Sequence, residues 1–161
     1  MNYDVLIVGT GIAGLYTALN LRDDIRILMI TKNSFRDCNS YLAQGGISTS
    51  LGLFDEENYF NDTVKAGNYH NDTKAVKLLI KNSIENINTL IKLGVPFDKT
   101  KEKLNYTREG GHSEFRIVHV KDETGKSVTE TLLNIVSKKR NITMLENTAL
   151  IYLIFKDNTC Y

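Results

Sequence analysis

Tryptophan is absent from the 161 residues, proline occurs once and cysteine twice. The lone Pro96 leaves no proline-rich linker, so the chain reads as continuously ordered. Cys38 and Cys160 stand far apart, in neither a metal-ligand nor a redox spacing; the simplest reading is a reduced, cytoplasmic protein with no metal site. Neither sign of charge dominates. Lys and Arg number 20 against 19 Asp and Glu, a net charge of +1, so no nucleic-acid or membrane partner is expected. No apolar run approaches the roughly 20 residues of a bilayer span, and Met1-Asn2-Tyr3-Asp4 leads into an apolar strand with no signal peptide before it. Repeats and low-complexity tracts are missing as well. A chain of this length can bury about 70% of its unfolded surface in one core.

What is present begins at Val5-Leu6-Ile7-Val8-Gly9-Thr10-Gly11-Ile12-Ala13-Gly14-Leu15. An apolar strand meets glycines spaced G-x-G-x-x-G, and a helical pattern follows at once through Leu15 and Leu19. That context is what the dinucleotide fingerprint requires. Gly9 turns the chain, Gly11 admits a pyrophosphate to the backbone, and Gly14 lets the helix lie close on the sheet. The helix N–H groups and dipole then face the phosphates. Strand Tyr3–Val8, helix Gly11–Arg22 and strand Ile25–Ile30 make a βαβ unit. The acid that usually ends the second strand and holds the ribose hydroxyls is replaced by Thr31-Lys32. Lys32 is either a phosphate contact or a solvated side chain at a strand end.

Residues 33–50 read as a long loop holding Asn39-Ser40-Tyr41-Leu42-Ala43-Gln44-Gly45-Gly46-Ile47. Its paired glycines permit close passage along a ligand, although an ordinary surface loop has the same composition. Helices follow at Asp55–Ala66, with Tyr59, Phe60 and Val64 inward, and at Thr73–Leu93, with Asp72 as N-cap and Gly94 at C′. The stripe Val76, Ile80, Ile84, Ile87, Ile91 reads as core. Tyr106-Thr107-Arg108-Glu109-Gly110-Gly111-His112-Ser113 sets a base, a carboxylate, a glycine pair and an imidazole together. It reads as a polar ligand loop or as a charged hairpin turn in water. His70 and His119 read as structural. Phe115–Val120 alternates as a strand, Asp122–Gly125 turns, and Ser127-Val128-Thr129-Glu130 has the form of a capping box opening a last helix with Leu132, Leu133, Ile135 and Val136 inward. Strands Ile142–Leu145 and Ala149–Phe155 complete an α/β pattern.

Thr31-Lys32, Ala-Gln-Gly-Gly-Ile at residues 43–47, Gly94-Val95-Pro96-Phe97-Asp98, Thr-Arg-Glu-Gly-Gly-His-Ser at 107–113 and the stretch Gly125–Thr131 resemble the L-aspartate oxidases. These are a branch of the succinate dehydrogenase and fumarate reductase flavoprotein family. The likeness runs through essentially the whole chain. It implies a Rossmann-like FAD-binding domain with a parallel sheet. It also implies that residues 1–161 are its amino-terminal portion, cut before the substrate-capping and C-terminal domains. It places FAD against Gly9, Thr10, Gly11, Ile12, Ala13 and Gly14, against Lys32, and along Asn39, Ser40, Tyr41, Leu42, Ala43, Gln44, Gly45 and Gly46. The adenine would lie on the backbone at Ala149 and Leu150. FAD would be non-covalent, since Asn39 stands where covalent relatives carry histidine. Glu109 falls on the family's substrate-orienting glutamate, a carboxylate suited to the ammonium of L-aspartate. The implied reaction passes hydride from the substrate Cα to the flavin and yields iminoaspartate for quinolinate and NAD biosynthesis. Fumarate or oxygen would be the electron acceptor, and quinolinate synthase a functional partner. Two other readings stay open at this level: a non-catalytic NAD(P)-binding module, favoured by Lys32 in place of the acid, and a fumarate reductase-type flavoprotein.

Overall fold

The computed structural model describes residues 2–157 and, for the backbone alone, 159–160; the side chain of Cys160 lies outside the described residues. In chain order the elements are β1 (Val5–Val8), α1 (Ile12–Asn20), β2 (Ile27–Ile30), α2 (Asn39–Leu42), β3 (Ile47–Ser48), α3 (Glu56–Ala66) and α4 (Thr73–Lys92). They continue with β4 (Lys99–Thr100), β5 (Lys103–Leu104), β6 (Tyr106–Thr107), β7 (Ile117–Val118), α5 (Thr124–Val136), β8 (Ile142–Leu145), β9 (Phe155–Lys156) and β10 (Thr159–Cys160). Two compact units result: Met1–Leu42 with Thr129–Tyr161, and Ala43–Val128. Among the described residues no helix is long and apolar enough to cross a membrane, and no cluster of metal-ligating side chains forms.

The first unit is built on a parallel sheet ordered β1-β2-β8. Val5 pairs with Ile27 and Ile27 with Ile142, so the apolar runs align without stagger. Ile27 and Met29 on one face of the central strand are fully buried and Ile30 on the other is 5% exposed, as expected of a parallel strand covered on both faces. Asp4 ties the entry of β1 to β2: it accepts from the Arg26 amide at 2.9 Å and from the Arg26 guanidinium at 2.8 Å. Those hydrogen bonds hold its carboxyl down to about 2.

The second unit packs α3 on α4 around Tyr59, Val76 and Ile80. Beside them runs an antiparallel sheet ordered β3-β7-β6. Asp72 caps α4, accepting from the amides of Lys74 and Ala75. The helix ends in a Schellman turn at Gly94 (φ +100°), with the Val95 amide on the Leu90 carbonyl and the Gly94 amide on that of Ile91.

Several boundaries differ from the sequence reading. The 33–50 stretch holds one helical turn, α2, and the short β3. The buried face of α4 is Val76, Ile80, Ser83, Ile87 and Leu90, with Ile84 left 44% exposed. Ser83 belongs inside because its hydroxyl accepts the Ser50 amide and donates to the Ile80 carbonyl. Helix α5 begins at Thr124, so Ser127 and Glu130 lie within it and not at its opening; the Thr124 hydroxyl accepts the Val120 amide just before the helix. Of 115–120 only Ile117 and Val118 pair as a strand. The expected strand over 149–155 starts at Phe155, because residues 150–154 meet no strand that could take their backbone groups among the described residues.

Candidate nucleotide-binding and substrate site

In the first unit Gly9 and Gly14 have the geometry that their spacing predicts. Gly9 has φ +103°, a region most residues avoid, and a Cβ there would face open space. A Cβ on Gly14 would run into the Gly9 carbonyl and lie 3.2 Å from the Ile7 side chain. Gly11 faces Ser40, whose Oγ accepts the Ile12 amide at 3.1 Å. One amide of the α1 terminus is therefore capped from within the chain. The next two, of Ala13 and Gly14, have no partner among the described residues, and the first turn carries no acid. Two free N–H groups at the positive end of a helix dipole, beside an open glycine turn, fit a phosphate.

The remaining residues assigned to the cofactor divide by what holds them. Thr10 is buried and its hydroxyl donates to the Phe35 carbonyl at 2.9 Å, so only its backbone is on offer. The Tyr41 hydroxyl donates to Glu130, which also takes the Arg36 guanidinium at 2.7 Å. Asn39 and Leu42 are exposed on α2. Lys32 is exposed at the end of β2. The amides of Asn147 and Thr148 bond the carbonyls of Asn33 and Thr31, which sets exposed Ala149 and Leu150 at the end of β2.

In the second unit β7 stands between the two motifs, with Ser48 and Thr107 both in register with Ile117. The 43–46 loop is laced to the start of α5 through the Gly125 amide on the Ala43 carbonyl and the Thr124 hydroxyl on that of Gly45. Gln44 donates to Asp122 at 3.3 Å. A Cβ on Gly46 would collide with the Ile117 side chain and come 2.6 Å from the Val118 carbonyl oxygen. On Gly45 it would come 3.1 Å from one Glu109 carboxylate oxygen and 3.3 Å from the other. Exposed Glu109 thus lies against the loop backbone at Gly45.

Beneath that turn lies a group the sequence did not reveal. Arg116 is fully buried. Its Nε and Nη2 grip both oxygens of Asp55, which is equally buried, at 3.1 and 2.6 Å. Nη1 donates to Asp62 at 2.6 Å and to His112 Nδ1 at 3.1 Å; Nη2 also reaches the Ser113 hydroxyl at 3.4 Å. The Tyr59 ring lies 5.0 Å below the guanidinium. Burial opposes the charge on Arg116, but the hydrogen bonds to Asp55 and Asp62 outweigh it and hold its pKa above the ordinary arginine value. Asp62 likewise resists the upward push of burial: the Ser113 amide and hydroxyl and the Arg116 guanidinium keep its carboxyl below the usual range. His112 completes the cluster, with Nε2 3.2 Å from the Ser48 hydroxyl. Period-two alternation would turn Arg116 outward and Phe115 inward. The structure does the reverse, with Phe115 exposed under Arg108 at 5.2 Å. The available signal was on α3, where Asp55, Tyr59 and Asp62 recur at i, i+4 and i+7 on one face.

Residues 4–161 match the family described as the FAD binding domain. The chain belongs to that family and is an FAD-binding α/β domain. Within it, the chain is similar to the amino-terminal part of L-aspartate oxidases: 54% identical over 159 residues to that of Clostridium acetobutylicum and 45% over 157 residues to that of Clostridium perfringens, in each case over 98% of this chain. It spans 37% and 36% of those two relatives' lengths. Among solved structures, a variant of Escherichia coli quinol fumarate reductase superposes with a TM-score of 0.92 over 99% of this chain and 28% of its own, at 23% identity. The Mycobacterium smegmatis Sdh1 complex in the apo form superposes with a TM-score of 0.88 over 98% of this chain and 30% of its own, at 27% identity.

Two outcomes follow from the local packing. Gly46→Ala should cost about 1–3 kcal/mol, as overpacking against fixed backbone does. Gly45→Ala should leave stability within about 1 kcal/mol, because the Glu109 side chain can swing aside. Chemical denaturation of the two variants checks this; equal losses would contradict it. The second outcome concerns acid. The folded-state pKa of Asp62 is depressed, so its contribution is complete above the unfolded aspartate value of about 4 and fades as pH falls through the lower folded value. Asp62→Asn should therefore flatten the stability profile on the acid side of pH 4, as read from thermal melts across that range.

Proposed function

We propose that this chain provides the FAD pyrophosphate turn and the amine-reading loop of an L-aspartate oxidase, which converts L-aspartate to iminoaspartate. What carries the reading is the Glu109 carboxylate, lying beside the Gly45 backbone in the second unit of a chain 54% identical to one such enzyme. Glu109 receives the substrate ammonium through a charge-assisted hydrogen bond. Gly9–Gly14, Lys32, Asn39–Gly46 and the backbone of Ala149 and Leu150 hold the cofactor; the free amides of Ala13 and Gly14 support its phosphate end. FAD, when bound, accepts the hydride that leaves the substrate Cα. Fumarate or oxygen is the onward acceptor, the product feeds the quinolinate synthase reaction, and the location is cytoplasmic. Residues 1–161 form the amino-terminal portion of the FAD domain, and the contacts to the substrate carboxylates and the flavin ring come from outside them. The paired carboxylate and imidazole loop has no task in an NAD(P)-sensing module, and a fumarate reductase has no ammonium for Glu109 to meet.

Asn39 is exposed on α2, and its amide lacks the ring nitrogen that a covalent flavin bond needs. Acid precipitation of the flavin-loaded enzyme should leave the yellow colour in the supernatant; colour retained in the pellet would contradict non-covalent binding. For the substrate, Glu109→Gln in the enzyme should lower kcat/KM for L-aspartate by about 2–4 kcal/mol, as for a lost charged contact. Fumarate reduction should fall far less, and equal losses on both substrates would refute ammonium recognition.

A further inference from the structure

A guanidinium carries five N–H donors and accepts nothing. Every donor of Arg116 is accounted for: Nε by Asp55, Nη2 by Asp55 and Ser113, Nη1 by Asp62 and His112. None remains for a substrate carboxylate, and the group is fully buried, so Arg116 has no direct part in binding. The loop above it is soft by composition. Gly111 has φ +94°, and neither Gly110 nor Gly111 has a neighbour within reach of a Cβ. Residues 108–115 make no strand or helix, and the turn closes on itself only through the His112 amide to the Glu109 carbonyl at 3.2 Å. The anchors come immediately after the glycines: Ser113, whose amide and hydroxyl both reach Asp62 at 2.7 Å, and the His112 ring. Because an arginine can only donate, Nδ1 of His112 must be the accepting nitrogen. Nε2 then carries the hydrogen and donates to Ser48 on β3, the strand that continues from Gly45-Gly46.

We propose that Arg116 is a positioning residue for the Glu109–Ser113 turn: braced by Asp55 and Asp62, it locks the His112 imidazole in the Nε2–H tautomer and so fixes the glycine turn that presents Glu109 at Gly45. Its significance for the reaction rests on the reading of Glu109 given above; its physical content does not.

The test uses the whole enzyme that carries this chain, labelled with 15N in its histidine rings, with His112→Gln to assign the His112 signals. Near neutral pH the His112 ring should show one unprotonated nitrogen at Nδ1 and one protonated at Nε2. An Nδ1–H tautomer, an imidazolium or an averaged ring would overturn the proposal. Hydrogen exchange then compares two variants that leave Arg116 in place. His112→Asn keeps an acceptor for the guanidinium and should preserve amide protection at Gly110–Ser113. His112→Leu removes the acceptor and should speed exchange there about tenfold, as for one lost hydrogen bond, without changing α4. Equal exchange in the two variants, or loosening spread through α4, would overturn it. Glu109→Gln should leave the ring signature unaltered, so failure of the substrate assignment would be seen separately.

Discussion

Removing a guanidinium from water is tolerable only when fixed acceptors replace its hydration, and the second unit is arranged around meeting that demand for Arg116. Asp55 at the start of α3 and Asp62 two turns later give three carboxylate oxygens on one side. His112 and Ser113 give the rest from the glycine turn. The cluster joins α3, β7 and the Glu109 loop without an apolar contact among its ionic members. An ordinary core would specify volume. This one specifies the direction of each hydrogen bond, which suits a loop whose glycines would otherwise admit many conformations.

The glycines of the chain are there for different physical reasons. Gly9 needs its backbone angle, Gly14 the closeness of a carbonyl, Gly46 the closeness of β7, and Gly45 room for a carboxylate. Gly45 and Gly46 stand side by side, yet one accommodates the Glu109 side chain and the other the strand beside it. Ser40 adds a comparable economy: with a single hydroxyl it caps Ile12 and keeps α2 beside the α1 terminus.

Much of this was legible in the residues themselves. The βαβ opening, the Asp72 cap and the Gly94 stop were readable because each rests on local chemistry: periodicity, a side-chain oxygen, a positive φ. The motif 107–113 announced itself by composition, but its anchoring did not. Arg116 bonds residues 61 and 54 positions away, and no local pattern encodes such a pairing. The early start of α5 was missed for a related reason. Thr124 bonds the Val120 amide just before the helix while also reaching back 79 residues to Gly45, and a four-residue sequence signature cannot register that second contact. Ile84 was placed inside by spacing alone, yet the polar Ser83 takes the interior because its hydroxyl has work on both sides.

The closed set of bonds around Arg116 also governs how this region can change over generations. Positions 55, 62, 112 and 116 share one network, so the effects of substitutions among them do not add. A single replacement that removes the guanidinium or one of its acceptors strands a buried charge or donor, whereas an apolar exchange of several members together could restore stability. The Glu109 loop can therefore drift at Arg108 or Gly110, where side-chain space is open, but its base moves only in concerted steps. The permissive and the constrained positions lie within a few residues of each other, and mutational scanning of 108–116 would read that boundary as an abrupt change in tolerance.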